Sequence, residues 1–226
     1  MNASTQWITQ NPSNYFDGQW HSIAGDEIQS KNPANPAQVV WSGTPDPSHV
    51  DGAVAAARAA CTSWRQLSQS ERAEYLLAFS AACKKFAEPL AQVITLEMGK
   101  TIAESRGEVK LLSDKIDITL QESTLARVSN FEVDAGGGRK GFCRFQPFGV
   151  MAVLGPFNFP AHLPNGHWVP ALLMGNTIVF KPSEKTPAVG QWIAAIAQAA
   201  GFPRGVLNVV QGGVEIAKRL SNHADV

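Results

Sequence analysis

The sequence lacks an imbalance of charge and a long apolar run. Its 226 residues include 19 basic and 19 acidic side chains, so the net charge gives no reason to invoke nucleic acid or an anionic membrane. Gly, Pro or polar residues interrupt each apolar stretch before it reaches the length of a membrane-spanning helix. We therefore expect the partner to be a small molecule, with no nucleic acid and no membrane.

Signals for secretion, disulfides and zinc are missing as well. Residues 1–10 contain no Lys or Arg and no apolar run, which argues against a secretory signal and favours a cytoplasmic protein. Cys61, Cys83 and Cys143 are an odd number of cysteines without a C-x-x-C spacing, which argues against a disulfide framework and a zinc site. We expect reduced, buried thiols and no bound metal.

The glycine-rich phosphate loop G-x-G-x-x-G is absent from the whole chain. Any phosphate-binding segment must therefore have another form. With 44% hydrophobic residues, however, a chain of this length can bury roughly 70% of the surface that it exposes when unfolded. A compact core is expected, in one large domain or two small ones.

Residues 1–47 are rich in turn-forming residues and are predicted to form an arm of strands and turns. Asp17-Gly18 predicts a hairpin, because both residues tolerate the positive φ of a tight turn. Asn32-Pro33 and Asn35-Pro36 predict two further turns.

Residues 48–140 are predicted to be mainly helical. Three hydroxyl residues followed three positions later by a carboxylate predict helix starts: Ser48 with Asp51, Ser68 with Glu71, and Thr101 with Glu104. Pro89 is predicted to start a further helix and Gly99 to end it. The run of glycines at 136–138 predicts a flexible turn before the next segment.

The pattern changes after this turn. Alternation predicts a half-exposed strand at 141–146, ended by Pro147. Three short apolar runs follow, at 150–154, 177–180 and 206–210, and they alternate with helices predicted around 168–174, 187–200 and 214–220. This order predicts an α/β region at 147–226, with a parallel sheet covered on both faces. Sheets of this kind bind ligands at the carboxyl ends of their strands.

Asn158 is the one polar side chain in the segment 155–160 that follows the first run. Two prolines fix the backbone and two phenylalanines exclude water, so the carboxamide can act as a preorganised donor to a developing oxyanion. Such a donor typically lowers the activation free energy of the reaction by about 3 to 4 kcal/mol. The alternative is that Asn158 caps a turn or the following helix, and the spacing alone favours that alternative.

The second run leads directly into Lys181-Pro182-Ser183-Glu184. A carboxylate at the end of a strand can accept hydrogen bonds from ribose hydroxyls and repel a 2′-phosphate, which favours NAD over NADP. Lys181 would donate to the same sugar. The alternative is a solvated turn with a surface ion pair worth at most about 1 kcal/mol. Gly212 and Gly213, after the third run, permit close approach of a ligand but are weak evidence by themselves.

Taken in order, these segments resemble the aldehyde dehydrogenase superfamily. The motifs that carry the resemblance are 156–160, Gly175-Asn176-Thr177, Lys181-Pro182-Ser183-Glu184 and 206–210, together with Asn32-Pro33-Ala34, Glu97-Met98-Gly99-Lys100 and 146–150. The resemblance covers nearly the whole chain. It implies an α/β fold with an incomplete Rossmann-like parallel sheet, and the NAD-dependent oxidation of an aldehyde to a carboxylic acid.

The resemblance also implies roles by position. It makes Asn158 the oxyanion donor. The residues that it implies for binding the cofactor NAD are Lys181, Ser183, Glu184, Gly212 and Gly213. In the family a cysteine attacks the aldehyde, hydride passes to NAD, and a glutamate activates water. We expect that cysteine and glutamate beyond Val226, so the chain is expected to be a truncated cofactor-binding part that is inactive alone.

A narrower resemblance, to the succinylglutamate semialdehyde dehydrogenases within the superfamily, rests on residues 161–167 and on Gln211-Gly212-Gly213. It implies oxidation of N-succinylglutamate 5-semialdehyde to N-succinylglutamate in arginine catabolism. His162 and His167, next to a predicted helix start, give the hypothesis that they attract this anionic substrate. The alternative for both histidines is packing or capping.

Two other functions stay open: another NAD(P)-dependent aldehyde dehydrogenase, and a short, non-catalytic nucleotide-binding product. A parallel sheet that stops after three strands leaves an edge unpaired, which predicts aggregation and argues against a short soluble product. The family resemblance implies that the strand at 141–146 pairs with a neighbouring subunit or a carboxyl-terminal arm. We therefore expect the whole protein to be a homo-oligomer.

Overall fold

The structure is a computed structural model, and it describes residues 11–226. The first half contains four strands and five helices: β1 (Ser13–Phe16), β2 (Gln19–Ser22), β3 (Ile28–Asn32), β4 (Asn35–Gly43), α1 (Ser48–Gln66), α2 (Gln69–Lys85), α3 (Ala87–Met98), α4 (Ile102–Thr119) and the short α5 (Glu122–Leu125), which runs into a 3-10 turn (Ala126–Val128). The second half contains five strands and three helices: β5 (Phe131–Asp134), β6 (Lys140–Cys143), β7 (Val150–Leu154), α6 (His162–Leu173), β8 (Thr177–Lys181), α7 (Pro187–Ala199), β9 (Leu207–Val209) and α8 (Val214–Ser221).

The central sheet has the strand order β2-β1-β9-β8-β7. Strands β7, β8 and β9 are parallel, as the alternation of apolar runs and helices predicts. Along β8, Ile178 and Phe180 belong to the core shared with α6 and α7, whereas Val179 belongs to the core shared with α1 and α8. The predicted α/β class, with a parallel sheet covered on both faces, is confirmed.

The prediction of an unpaired edge is wrong on the β9 side of the sheet. The hairpin formed by β1 and β2 lies there, with β1 antiparallel to β9 and Tyr15 opposite Val209. Asn208 strengthens the contact, because its side-chain oxygen accepts a hydrogen bond from the Asp17 amide at 3.2 Å. Local sequence patterns do not reveal this pairing, because the partners are almost 200 residues apart. On the other side of the sheet, β7 has no further strand beside it within residues 11–226.

Two of the three predicted helix starts are confirmed as capping boxes. The Ser68 hydroxyl accepts the Glu71 amide at 3.2 Å, and the Thr101 hydroxyl accepts the Glu104 amide at 3.3 Å. In both boxes the carboxylate reaches back to the amide of the capping residue. These helix starts are encoded locally, which is why the sequence alone identifies them.

The third predicted cap is wrong, although α1 does begin at Ser48. Asp46 caps the helix instead, since its carboxylate accepts the Ser48 amide at 2.8 Å. Asp51 forms an ion pair with Arg219 on α8. The Asp46 carboxylate, two residues before α1, thus caps the helix in place of the predicted Ser48 hydroxyl.

The predicted turns of the arm are confirmed at two of three places. Asp17 and Gly18 have φ angles of 50° and 70° and close the hairpin between β1 and β2. Asn32-Pro33 lies in the turn between β3 and β4. Asn35-Pro36, in contrast, belongs to β4. Pro36 is exposed and lies in a stretch where the register of the hairpin shifts. Because no regular interstrand hydrogen bond is needed there, a residue without a backbone N–H is tolerated.

The strand predicted at 141–146 is shorter, and it has a partner that the sequence analysis missed. It ends at Cys143 as β6 and pairs with β5, so that Phe131 faces Cys143. Beyond it the Phe145 amide donates to the Asn130 side chain at 2.8 Å, which ends the ladder. The glycines at 136–138 all have positive φ and form the turn of this hairpin, as predicted.

The predicted boundaries of α3 hold closely, while those of α6 do not. Gly99 ends α3 in the left-handed conformation with φ of 73°, and Pro89 lies in its first turn. Helix α6 begins at His162, six residues earlier than predicted. Its start depends on a contact from α4, which is described below. None of the helices in the described part of the chain is long and apolar enough to cross a membrane.

Candidate functional site

The segments that follow β7, β8 and β9 lie at the same end of the sheet. Leu154 is opposite Lys181, and the Gly155 amide donates to the Lys181 carbonyl at 2.9 Å. The Val210 amide donates to the Phe180 carbonyl at 2.9 Å, which places the end of β9 beside that of β8. The structure thus brings together the segments of Asn158, of Lys181 to Glu184 and of the two glycines. This is the end at which parallel α/β sheets bind ligands.

Lys181 joins two of these segments. Its Nζ donates to the carbonyls of Pro182 at 2.7 Å and Gly212 at 2.8 Å, and it lies 3.7 Å from a carboxylate oxygen of Glu184. Only 5% of the residue is exposed, so a solvated surface ion pair is the wrong description of it. Burial lowers the pKa of Lys181, and Glu184 acts in the opposite direction. Of its three N–H donors, one is left for Glu184 or a ligand.

Ser183 and Glu184 differ in exposure. Ser183 is buried, and its hydroxyl accepts the Lys185 amide at 3.2 Å, so it shapes the turn before α7. Glu184 is exposed, and within residues 11–226 its carboxylate lies near one cation, Lys181. Glu184 is therefore the acceptor that this segment presents to solvent.

Asn158 is exposed in the loop at 155–160, which we call the Asn158 loop. The alternative that Asn158 caps the following helix is wrong, because the amides of the first turn of α6 have another acceptor. Glu108 of α4 accepts the Ala161 amide at 3.0 Å and the His162 amide at 3.2 Å through its Oε1. The carboxamide of Asn158 is thus not used for helix capping.

Glu108 is buried and belongs to a cluster of contacts that sequence reasoning missed. Its Oε2 lies 2.6 Å from Nζ of Lys100. The same ammonium lies 3.8 Å from the centroid of the Phe159 ring. The sequence identifies Lys100 only as part of the motif at 97–100, because nothing local to that motif indicates a partner nearly 60 residues away.

A second lysine faces the other phenylalanine of the loop. Nζ of Lys185 lies 4.5 Å from the centroid of the Phe157 ring, and both residues are exposed. Asn158 thus lies between two aromatic residues, each of which faces an ammonium group. Phe157 is 46% exposed and Phe159 is 40% exposed, so the expectation that these rings exclude water is wrong. The two contacts differ in the lysine, because the Lys100 side chain is only 17% exposed whereas Lys185 is exposed.

Glu97 caps α7 much as Glu108 caps α6. Its two carboxylate oxygens accept the amides of Ala188 at 3.0 Å and Val189 at 2.9 Å, and Oε1 also accepts the Ser30 hydroxyl at 2.5 Å. Complete burial raises the pKa of Glu97 to about 7, and the three hydrogen bonds oppose this shift. The sequence analysis missed this role too.

These two carboxylates limit where a phosphate can bind. The first amides of α6 and α7 already have carboxylate acceptors, so neither helix start offers them to a phosphate. Helix α8 begins after Gly213, and no capping side chain is seen there within residues 11–226. Of the three helices that follow the parallel strands, α8 is therefore the one whose first amides have no side-chain acceptor among the described residues, although Glu215 lies in its first turn.

The two predicted glycines have different surroundings. A Cβ at Gly212 would lie 2.2 Å from Ile216, and its φ is 152°, so the fold itself requires glycine there. A Cβ at Gly213 would meet nothing within 4 Å, so this position is open to a ligand. The preceding residue, Gln211, is fixed by its backbone N–H, which donates to the side-chain oxygen of Asn14 at 2.7 Å.

The histidines of α6 lie apart from one another. His162 is the first residue of the helix and is half-buried, and its buried Nδ1 has no hydrogen-bond partner among residues 11–226. His167 is exposed and lies more than one turn into the helix. Because Glu108 occupies the helix start, any attraction for an anion would have to come from the imidazoles themselves.

The three cysteines lie away from the Asn158 loop in sequence and in environment. Cys61 and Cys83 are buried on helices, as expected, and burial raises the pKa of Cys83 to about 12. Cys143 is only half-buried on β6, contrary to the expectation of a buried thiol. None belongs to the segments after β7, β8 and β9. Within residues 11–226 no group of His, Cys, Asp and Glu residues is arranged to hold a metal ion.

Comparison with known proteins identifies similar chains. The model of the aldehyde dehydrogenase family matches residues 20–226. A crystal structure of an NADP-dependent enzyme of E. coli is 30% identical, with a TM-score of 0.89 over 98% of this chain and 46% of its own. Lactaldehyde dehydrogenase from Escherichia coli is 32% identical, with a TM-score of 0.87 over 95% of this chain and 45% of its own.

A third similar structure contains ligands. A mutant of aldehyde dehydrogenase C from Pseudomonas syringae, in complex with NAD+ and octanal, is 30% identical, with a TM-score of 0.85. The match covers 100% of this chain and 45% of that one. The chain therefore spans less than half the length of these three solved structures.

Proposed function

Because the chain belongs to the aldehyde dehydrogenase family, we propose that it forms the nucleotide-binding part, chiefly residues 147–226, of an NAD-dependent enzyme that oxidises an aldehyde to a carboxylic acid. One observation carries the proposal. Three segments that bear the predicted site residues meet at the carboxyl end of one parallel sheet, and Lys181 joins two of them.

The residues present fit a dinucleotide. Glu184 offers an exposed carboxylate to ribose hydroxyls, Lys181 retains one N–H beside it, and Ser183 shapes the turn that holds both. Gly213 leaves open space at the start of α8, and Gly212 supplies the backbone conformation that leads into it. When bound, the nicotinamide supplies the acceptor for the hydride.

The preference for NAD over NADP is a proposal from charge. The Glu184 carboxylate would repel a 2′-phosphate, whereas it can bind the two hydroxyls of an unmodified ribose. One similar structure is described as NADP-dependent and another was solved with NAD+, so similarity supports a nicotinamide cofactor without selecting between the two.

We assign to Asn158 the donation of a hydrogen bond to the oxyanion that forms when a thiolate attacks the aldehyde carbonyl. The exposed position of its side chain, not needed for capping α6, supports this role. In this proposal the nucleophilic cysteine and the glutamate base come from outside the 226 residues. The three cysteines of the chain are placed for structure.

The narrower proposal for the substrate is N-succinylglutamate 5-semialdehyde. The sequence at 161–167, which forms the first turns of α6 beside the Asn158 loop, supports it. His162 and His167 would attract the carboxylates of this substrate through their imidazoles. Replacing both with Gln in the complete protein and finding the affinity for the substrate unchanged would exclude this role.

The assembly is proposed to be a homo-oligomer, with the cytosol as its compartment. The hairpin of β5 and β6 supports the homo-oligomer, because it leaves Phe131 and Val133 exposed on one face and Phe142 exposed on the other. Exposed apolar groups of this kind mark interaction surfaces.

The test of the proposed function uses the complete protein that contains these residues. NADH formation is measured with several semialdehydes and simple aldehydes, at saturating NAD and with NADP in parallel. Asn158→Ala is expected to lower kcat about 10²- to 10³-fold. Nucleotide binding without NADH formation on any aldehyde would favour a binding function, and the best aldehyde would identify the branch of the family.

A further inference from the structure

The Asn158 loop is fixed on the side of Phe159 by contacts with helix α4 and the residues just before it. Phe159 stacks beneath the Lys100 ammonium at 3.8 Å, and its carbonyl accepts the Leu163 amide at 3.2 Å. The next two residues, Pro160 and Ala161, are buried. The backbone immediately after Asn158 therefore has little freedom.

Helix α4 is also the platform for α6. Glu108 accepts the first amides of α6, and the buried Asn165 of α6 donates to the Leu112 carbonyl at 3.1 Å. Lys100 contacts both the start of α6 and the Asn158 loop, because it pairs with Glu108 and faces Phe159. A single ammonium thus links the helix start to the aromatic ring next to Asn158.

The charges of this link are largely shielded from water. The Glu108 side chain is 0% exposed and the Lys100 side chain 17% exposed. An ion pair in such surroundings is weakly screened by solvent. The ion pair therefore restrains the start of α6 more firmly than a surface pair would, and the same ammonium contacts the Phe159 ring, which is 40% exposed.

We propose that Lys100 is a positioning residue for the reaction: by pairing with Glu108 and lying over Phe159, it holds the Asn158 carboxamide in the orientation that stabilises the oxyanion. This inference rests on the proposed function, in which Asn158 touches the reacting carbonyl oxygen. A loss of about 1 Å in positioning can lower a rate about a hundredfold. Lys100 is thus expected to affect the chemical step without touching the substrate.

The test compares Lys100→Met with the parent in the complete enzyme. We expect kcat and kcat/KM for the aldehyde to fall about tenfold to a hundredfold, with the KM for NAD unchanged, because Lys181, Glu184 and Gly213 are untouched. Lys100→Arg should restore most of the activity, since a guanidinium can pair with the carboxylate and lie over the ring. Lys110→Met, which removes an exposed lysine of α4, is the matched control and should leave the kinetics unchanged.

Because Lys100→Met leaves a buried charge on Glu108, a second variant guards against loss of folding. Lys100→Met combined with Glu108→Gln leaves no unpaired buried charge, and the Gln oxygen can still accept the amides of α6. We expect this pair to show the same loss of kcat. A pair variant with the parent's kcat would overturn the proposal.

A cycle with Asn158→Ala separates this inference from the proposed function. If Lys100 acts through Asn158, Lys100→Met should lower kcat less than about twofold once Asn158 is replaced. Equal losses in both backgrounds, or a rise in the KM for NAD in step with the loss, would show a merely structural role and overturn the inference. If Asn158→Ala alone is fully active, the proposed role of Asn158 fails, and the inference fails with it.

Discussion

Helices α6 and α7 begin in the same way, yet their capping carboxylates have different partners. Glu108 at the start of α6 pairs with the ammonium of Lys100. Among the described residues, the donors to Glu97 at the start of α7 are all neutral: the Ser30 hydroxyl and two amides. Both carboxylates are buried, and burial without a cation raises the pKa of Glu97 to about 7. The comparison shows that two helix starts with the same capping geometry differ in one partner, the cation that lies beside the Glu108 carboxylate.

The largest effect is expected from Glu108→Ala. It removes the acceptor of two amides and leaves Lys100 beside an empty space with its charge unpaired. Breaking a buried ion pair in this way costs about 3 to 5 kcal/mol in the free energy of unfolding. Urea unfolding measures this loss, with Glu108→Gln as the milder comparison. A loss below about 1 kcal/mol would show that the ion pair is not what distinguishes α6 from α7.

A dependence of stability on pH is expected from Glu97. Its folded-state pKa of about 7 lies above the ordinary value of 4.5, so the folded state binds this proton more tightly than the unfolded state. Its contribution is therefore fully present below pH 4.5 and is lost as the pH rises through about 7. The free energy of unfolding is expected to change by a total on the order of 3 kcal/mol from this group.

Unfolding of the parent and of Glu97→Gln at pH values between 5 and 8 checks this expectation. The variant should lose the downward slope, because Gln does not titrate. Glu88→Gln is the control, since that carboxylate is exposed and the Arg106 guanidinium lowers its pKa. Parallel slopes for the parent and Glu97→Gln would assign the dependence to another group.

The smallest effects are expected at the local caps of α2 and α4. Ser68→Ala and Thr101→Ala each remove a hydroxyl that accepts one amide, which costs about 1 kcal/mol in the free energy of unfolding. Urea unfolding of these two variants allows their losses of stability to be compared with that of Glu108→Ala. If a local cap costs as much as the tertiary cap, the contrast between local and tertiary helix starts has no energetic basis.

Much of the fold could be predicted from sequence because its signals are local. The capping boxes at Ser68 and Thr101, the hairpin at Asp17-Gly18 and the strand at 150–154 each depend on residues within a few positions of one another. The start of α6 could not be predicted in this way. Its acceptor, Glu108, lies more than 50 residues upstream, on a different helix.

In the candidate site, too, some features follow from local sequence and others from long-range contacts. Asn158, Lys181 and Glu184 follow apolar runs, so their position at strand ends could be read from the pattern and from the family resemblance. The contacts that fix them were not predictable, since Lys181 donates to Gly212 across 31 residues and Lys100 faces Phe159 across nearly 60. The pairing of β1 with β9, which covers an edge expected to be open, has the same cause.

By itself the sequence determined the α/β class, the alternation of strands and helices at 147–226 and the residues at the ends of those strands, because periodicity and turn residues act over short distances. Only the tertiary structure decided that two buried glutamates occupy the helix starts and that a lysine faces the ring beside Asn158. The physical reason is that desolvated charges need partners, and the chain supplies those partners from wherever folding brings them together.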